Sequence, residues 1–193
     1  EDWLAEETEP RVSRDGSWVY FTGGTIWNHY LYRVRPDGTG REQISAYDSG
    51  PSESGADPSP DGTRIAYVWE ASPSVDDEEL YVMDLATRQA TRLNLLGRSP
   101  RWSPDGTRLA YVSGEHTNGQ RLVMVAAPDG TGARALSPSR MIGVANWSPD
   151  GKYIIAPSIF ADNLLIIEVA NGNELRVPYS GLSGRMTSAV VRP

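Results

Sequence analysis

The sequence predicts an all-β protein and, more specifically, a β-propeller built from tandem repeats. The chain of 193 residues contains 19 Gly and 14 Pro spread along its length, which favours many short strands joined by tight turns. A Ser-Pro-Asp-Gly tetrapeptide recurs at a nearly constant spacing, and two short β-prone runs follow each copy. A tandem repeat of this kind indicates an architecture in which each unit needs its neighbours to bury its apolar face.

The repeat turn begins at four serines: Ser13, Ser59, Ser103 and Ser148. The first copy is degenerate, since Arg replaces Pro, and the Asp residues of successive copies are 46, 44 and 45 residues apart. Pro presets φ for a turn, Asp accepts hydrogen bonds from nearby N–H groups, and Gly adopts positive φ without strain. We therefore interpret these Asp residues as turn residues, and the recurring Trp102 and Trp147 as packing residues.

Each turn precedes the strands of one repeat unit. In the second unit, residues 65–68 and 80–83 are β-prone, a weaker strand surrounds Leu93, and residues 100–102 form a strand ahead of the next turn. A repeat of about 45 residues that contains four antiparallel strands is typical of a propeller blade. The four predicted blades span residues 8–45, 54–94, 98–137 and 143–179.

The last residues of the chain resemble the beginning of another unit. Residues 184–193 align with the strand that precedes each turn, and Pro193 falls on the Pro of the repeat. This alignment predicts the innermost strand of a fifth blade, so that the four blades are part of a larger ring. Two alternatives remain open: the four blades close alone, or two copies complete the ring as a homodimer.

Composition and motifs exclude several classes of function. A net charge of -7 argues against duplex nucleic acid, because phosphate binding needs a cationic surface. The absence of Cys removes disulfides and thiolate chemistry, and no apolar run is long enough to span a membrane. The sequence has no Gly-x-Ser-x-Gly, His-Glu-x-x-His or Gly-rich phosphate motif. We therefore expect a protein without catalytic residues, cofactor or metal.

The predicted loops at one end of the propeller carry the net negative charge. These loops join the outermost strand of one blade to the innermost strand of the next, or the second strand of a blade to its third. Ten acids lie in them: Asp48, Glu53, Asp57, Glu70, Asp76, Asp77, Glu78, Glu79, Glu115 and Asp162. Three bases accompany them: Arg98, Arg140 and Arg185. An acidic end attracts cationic ligands and favours a basic or neutral partner.

Aromatic and large apolar side chains lie in the same loops, as an interaction hot spot requires. The candidate partner-binding residues are Trp27, His29, Tyr30, Tyr47, Asp48, Trp69, Glu70, Asp77, Arg98, Glu115, His116, Arg140, Met141 and Phe160. The simpler interpretation is that acidic loops only keep the protein soluble. The acidic run 76–79 lacks the alternate spacing and Gly turn of a calcium loop, so no metal is predicted there.

The sequence resembles a known family at these repeats. The sequence is similar to the TolB-type propeller repeat in two segments. One is Trp-Ser-Pro-Asp-Gly followed by Thr-Arg-Leu-Ala-Tyr-Val, and the other, in the second unit, is Leu-Tyr-Val-Met-Asp-Leu followed by Thr-Arg-Leu. The resemblance implies a ring of about six blades and a bacterial, periplasmic or otherwise extracytoplasmic protein- or peptide-binding module. Such propellers also occur as substrate-gating domains of prolyl-oligopeptidase-like serine peptidases and as small-ligand sensors, which are the alternatives.

Overall fold

The computed structural model describes residues 6–24, 28–45, 52–70, 78–114, 121–136, 145–158 and 163–178. Within these ranges all regular structure is β-strand, and the strands pair antiparallel. No helix in the described part of the chain has the length and apolar character needed to cross a membrane. The chain divides into two compact units, Glu1–Pro100 and Arg101–Pro193.

The first unit contains one four-stranded sheet and four consecutive strands of a seven-stranded sheet, and we describe these four strands as the second sheet. The first sheet has the strand order β1-β2-β3-β4, with the bounds β1 Glu6–Val12, β2 Val19–Gly24, β3 His29–Val34 and β4 Glu42–Gln43. The second sheet has the order β5-β6-β7-β8, with the bounds β5 Ser52–Pro58, β6 Arg64–Glu70, β7 Glu78–Asp84 and β8 Ala90–Trp102. Each strand pairs with its neighbour in the sequence, as in a propeller blade.

The second unit has the same organisation. Its first sheet combines the end of β8 with β9 Leu109–Ser113, β10 Val123–Ala126 and β11 Arg134–Ala135. Its second sheet has the order β12-β13-β14-β15, with the bounds β12 Asn146–Trp147, β13 Tyr153–Pro157, β14 Asn163–Glu168 and β15 Glu174–Pro178. The predicted all-β fold with four-stranded antiparallel sheets is confirmed.

Strand β8 differs from the prediction, which ended one blade at residue 94 and began the next at residue 98. The structure has a single strand from Ala90 to Trp102, and its residues up to Leu96 pair with β7. Asn94 and Ser99 have φ values of 55° and 52°, so each turns the backbone at one position while the chain stays extended on either side. A loop was expected because Gly97 and Ser99 are residue types that favour turns. The structure instead keeps one strand, in which Asn94 and Ser99 adopt the left-handed backbone conformation.

In each unit, apolar side chains of the two sheets form one core. In the first unit Tyr20 and Leu31 of the first sheet pack with Ala56, Ile65 and Tyr67 of the second, and all are at most 2% exposed. In the second unit an equivalent cluster joins both sheets: Ala110, Val123, Val125, Leu136, Ala145, Ile154, Ala156, Leu165, Ile167 and Val169. Facing apolar surfaces of neighbouring sheets are the main stabilising contacts of a repeat protein.

The two recurring tryptophans are packing residues, as the period predicted. Trp102 is 6% exposed. Trp147 packs against the core of the second unit, and its Nε1–H donates a hydrogen bond to the carbonyl of Arg101 at 3.0 Å. A buried indole N–H needs such an acceptor, so the contact secures the end of β12.

The repeat turn is held by its Ser and Asp side chains in all four copies. In the second copy the Ser59 hydroxyl donates to Asp61 Oδ1 at 2.6 Å, and the Arg64 N–H donates to the Ser59 hydroxyl at 2.9 Å. Asp61 also accepts the Thr63 N–H at 3.0 Å, and Gly62 has φ 70°. The interpretation of Asp as a turn residue is confirmed. The recurring Ser closes the turn from the other side and is buried in every copy.

The turn makes stability depend on pH. The donated Ser59 hydroxyl, with the Thr63 N–H, lowers the pKa of Asp61 from 3.8 to about 2. A carboxyl whose pKa is lower in the folded state stabilises the fold above its unfolded pKa, and this contribution is lost as the pH falls toward the folded pKa. We expect Asp61→Asn to flatten the decline in thermal midpoint between pH 3.8 and about 2. Parallel profiles of the parent and the variant would contradict the assignment.

Candidate binding face

Five of the predicted binding residues lie within the described part of the chain, all in the first unit. His29 and Tyr30 begin β3, Trp69 and Glu70 end β6, and Arg98 lies in β8. The other nine fall outside the described residues: Trp27, Tyr47, Asp48, Asp77, Glu115, His116, Arg140, Met141 and Phe160. The geometry of the candidate site is therefore built from the first group.

Strand register brings several polar residues to one end of the second sheet. Glu70 pairs with Ser52 of β5 on one side and with Glu78 of β7 on the other. In the next row, Trp69 lies between Glu53 and Glu79. Because successive side chains of a strand alternate between its faces, the two rows place carboxylates on both faces of the same sheet end.

One polar contact connects this sheet end to the first sheet, and a second lies within the sheet end itself. The ring Nδ1 of His29 and the Ser52 hydroxyl are 3.0 Å apart, which links β3 to β5. The Ser54 hydroxyl donates to Glu70 Oε1 at 2.8 Å. We call His29, Ser52, Ser54 and Glu70 the polar row. Ser52 and Ser54 were not among the predicted residues, although both lie in the strand that leads into the repeat turn.

Part of the predicted negative charge is neutralised in the structure. Arg98 Nε lies 3.2 Å from Glu78 Oε2, and Arg92 of the same strand pairs with Glu79. The prediction counted Arg98 at this end but assigned Arg92 elsewhere, because it assumed that β8 ended at residue 94. The two ion pairs shorten the list of carboxylates that can attract a cationic ligand here.

Glu53 is not a loop residue, contrary to the prediction. It lies in β5 and is 1% exposed, and its Oε2 accepts the Leu31 N–H at 3.1 Å. The same N–H also lies 3.0 Å from the Ser45 hydroxyl. Burial and the charge of Glu53 both raise the pKa of the neighbouring Tyr67. Glu53 therefore joins the two sheets beneath the polar row and is a positioning residue.

The aromatic residues of the candidate site are only partly exposed. Trp69 packs against the core of the first unit, with its ring centroid 6.1 Å from that of Tyr81. Tyr30 is also half-buried. A half-buried aromatic side chain offers an edge to a ligand and is already ordered, so that little entropy is lost when a partner binds.

The chemistry of the polar row suits binding. His29 faces a hydroxyl, and Glu70 accepts a bond from another. In the described ranges no three His, Cys, Asp or Glu side chains come together in a group that could hold a metal ion. Carboxylate, hydroxyl and imidazole groups beside an aromatic edge can recognise amide and cationic groups of a peptide.

Sequence comparison finds relatives that match about half of the chain. An uncharacterised protein of Agrobacterium fabrum is 33% identical over 114 residues, which are 53% of this chain and 38% of that protein. The Tol-Pal system protein TolB of Desulfotalea psychrophila is 32% identical over 109 residues, 52% of this chain and 25% of that protein. No family model matches the chain. The matches span well under half the length of both relatives.

Solved structures with the same fold cover more of the chain. TolB from Acinetobacter baumannii has a TM-score of 0.72 at 21% identity over 93% of this chain and 45% of its own. A puromycin hydrolase has a TM-score of 0.69 at 18% identity, covering 99% and 30%. The β-propeller domain of the Trilobed protease from Pyrococcus furiosus has a TM-score of 0.59 at 15% identity, covering 90% and 57%. Together with the relatives in sequence, these structures support a TolB-like β-propeller fold for this chain.

Proposed function

We propose that this chain is a non-catalytic propeller module that binds a protein or peptide through the loop end of its blades. The observation that carries the proposal is the polar row, His29 with Ser52 and Ser54 with Glu70, beside the half-buried edge of Trp69. The nine predicted residues outside the described ranges remain predictions from the sequence. Partly buried polar groups beside an ordered aromatic side chain are consistent with the composition of a protein-binding patch.

The proposed partner is basic or neutral and is not a nucleic acid. The chain has a net charge of -7, so an acidic partner is repelled. Glu78 and Glu79 are paired with arginines of β8, and a basic peptide could exchange with those arginines at the rim of the surface. A rim exchange of this kind changes the association rate and its salt dependence more than the final affinity.

The ring around this surface is also a proposal. We propose that four blades, at the predicted boundaries, belong to a larger ring of about six, with residues 184–193 as the innermost strand of the next blade. Closure by a second copy of the chain is the competing arrangement. The relatives in the TolB group support an extracytoplasmic, periplasmic location for such a module.

The main alternative is a propeller domain that admits substrates to a peptidase. The likeness to puromycin hydrolase favours it, since this chain matches 30% of that protein. At 18% identity this likeness concerns the fold, and an uncharacterised peptidase of Bacillus subtilis, 28% identical over 50% of this chain, matches the sequence less closely than the relative TolB at 32% over 52%. A small-ligand sensor is the third candidate. We therefore favour the binding module.

Peptide binding tests the proposal directly. A fluorescent peptide rich in Lys is expected to bind, with an affinity that falls as salt is added, while an acidic peptide of equal length does not. We expect Trp69→Ala and Asp77→Ala each to weaken binding about tenfold, as for hot-spot residues. Asp129→Ala removes the same charge from an exposed turn and is the matched control. Equal binding of both peptides, or an equal loss in the control, would exclude the proposed surface.

A further inference from the structure

Three arginines of the first unit gather around one aromatic ring and one carboxylate. Arg33 lies in β3 and Arg35 follows that strand, and their guanidinium carbons lie 4.2 Å and 5.3 Å from the centre of the Trp18 ring. Arg88 lies between β7 and β8 of the second sheet, and its Nη2 is 3.3 Å from Glu42 Oε1. Arg33 pairs with the same oxygen. We call Arg33, Arg35 and Arg88 the arginine cluster.

The backbone at Arg88 adopts a conformation that favours glycine. Arg88 has φ 62°, and its N–H donates to the Asp84 carbonyl at 2.9 Å. The turn between β14 and β15 has the equivalent bond, from the Gly172 N–H to the Glu168 carbonyl at 2.8 Å, and Gly172 has φ 77°. Glycine takes this conformation without strain, whereas arginine does not. The guanidinium of Arg88 is therefore placed beside Glu42 at a conformational cost, and an outlier of this kind favours a functional role.

The other two guanidinium groups are ordered by their surroundings. Both stack on Trp18, which packs against the core of the first unit. A Cβ at Gly40 would lie 3.2 Å from Arg35 Nε, so the glycine leaves room for this side chain along the turn. A guanidinium that stacks through its face presents its N–H edge to an oxyanion. An anion that binds here loses little affinity to the ordering of side chains.

The carboxylate of Glu42 shows which chemistry the cluster accepts. One of its oxygens is shared by Arg33 and Arg88, and its side chain is 39% exposed, so an external oxyanion can reach the same groups. The neighbouring acids Asp37 and Asp84 accept hydrogen bonds from N–H groups of their own turns. The three guanidinium groups carry more positive charge than Glu42 neutralises. A phosphoryl group, with nearly two negative charges and three acceptor oxygens, matches this excess better than a second carboxylate does.

The arginine cluster lies at the end of β3 that is away from the polar row. Strand β3 begins at His29, which belongs to the polar row, and ends at Val34, a rise of roughly 17 Å. Charges this far apart are largely screened at physiological salt, where the Debye length is about 8 Å. The acidic loop end therefore does not prevent an anion from binding at the cluster.

We propose that Arg33, Arg35 and Arg88 form a binding site for a phosphoryl group, carried by a small compound or by a lipid headgroup. The site does not depend on the proposed peptide-binding function. Isothermal titration calorimetry with pyrophosphate as the probe should detect binding that weakens as salt is added. Arg35→Gln and Arg88→Gly should each weaken it about tenfold, because each removes a charged donor. Arg88→Gly introduces the residue that the fourth sheet has at this position, so the variant should keep its thermal midpoint.

The matched control is Arg41→Gln. Arg41 lies 5.5 Å from the centre of the Tyr32 ring, and Tyr32 points to the opposite face of β3 from Arg33 because the two are adjacent in the strand. This variant loses the same charge and should change the affinity about twofold or less. An equal loss in all three variants would mean that binding follows net charge alone and would overturn the proposal. Failure of the parent to bind pyrophosphate would also overturn it.

Vesicles distinguish the two sources of the phosphoryl group. Sedimentation measures binding of the parent to vesicles of phosphatidylglycerol and, as the neutral reference, to vesicles of phosphatidylcholine. Binding to the anionic vesicles alone, displaced by pyrophosphate and lost in Arg88→Gly, supports a lipid headgroup as the ligand. Pyrophosphate binding supports a small phosphorylated compound if vesicle binding is absent or is unchanged in Arg88→Gly.

Discussion

Replacing Leu31 by Ala is expected to lower the free energy of unfolding by about 2–5 kcal/mol. Leu31 is 0% exposed and lies in β3, at the centre of the core that joins the two sheets of the first unit. Its neighbours Tyr20, Ile65 and Tyr67 belong to strands held by their own ladders, so the site cannot easily collapse around the cavity. Chemical denaturation of the parent and the variant measures the loss.

The control for this prediction is Leu96→Ala. Leu96 is also a leucine in a strand of the first unit, but it is 55% exposed. A substitution of an exposed side chain usually changes stability by less than about 0.5 kcal/mol. A comparable loss in both variants would mean that Leu31 is not at the centre of a packed core, and the assignment of that core would be wrong.

The fold was predictable because its strongest signal is local. The turn that starts at Ser59 is closed within six residues by its own Ser and Asp side chains, so its sequence is nearly independent of the rest of the chain. Strands follow at fixed distances from each turn, and their alternation marks the buried face. Ile65, Tyr67 and Leu80 were all in predicted strands and are all buried.

The candidate site was less predictable because it depends on strand register and on where strands end. The region before the second turn contains Glu53 and Ser54 but no apolar alternation, so it was interpreted as a loop. The structure extends β5 back to Ser52 and buries the Glu53 carboxylate against another strand. Counting back from each turn by a fixed strand length would have found β5. The burial of Glu53 depends on β3 and has no local signature.

The ion pairs at this sheet end also could not be predicted from the sequence. Arg92 pairs with Glu79, and the register between β7 and β8 shifts between Glu79 and Tyr81, so that Glu79 lies opposite Leu96. A period in the sequence predicts that strands exist, but a bulge changes which side chains lie opposite each other. The charge counted from sequence at this end did not include Arg92, which lies in β8 and pairs with Glu79. The proposed attraction of a cationic ligand to this end therefore depends on Glu70 and on the net charge of the chain, -7.

Removal of the Glu53 carboxylate is the second large effect that we expect. Glu53→Ala takes away a charged acceptor from the Leu31 N–H and opens space between β3 and β5. Loss of a hydrogen bond to a charged group costs about 1.5–3 kcal/mol. Ser45 can still accept from the same N–H at 3.0 Å, which keeps the expected loss within that range. Equilibrium denaturation measures it.

Glu53→Gln separates the effect of the negative charge of Glu53 from the effect of its size and its hydrogen bond to Leu31. Gln keeps an oxygen that can accept the Leu31 N–H, so it should restore much of the stability that Ala loses. If Glu53 positions β5, the Ala variant should also weaken binding of the basic peptide by displacing Ser52 from His29, and the Gln variant should recover it. Recovered stability without recovered binding would instead indicate that the negative charge of Glu53 itself attracts the ligand, despite its burial.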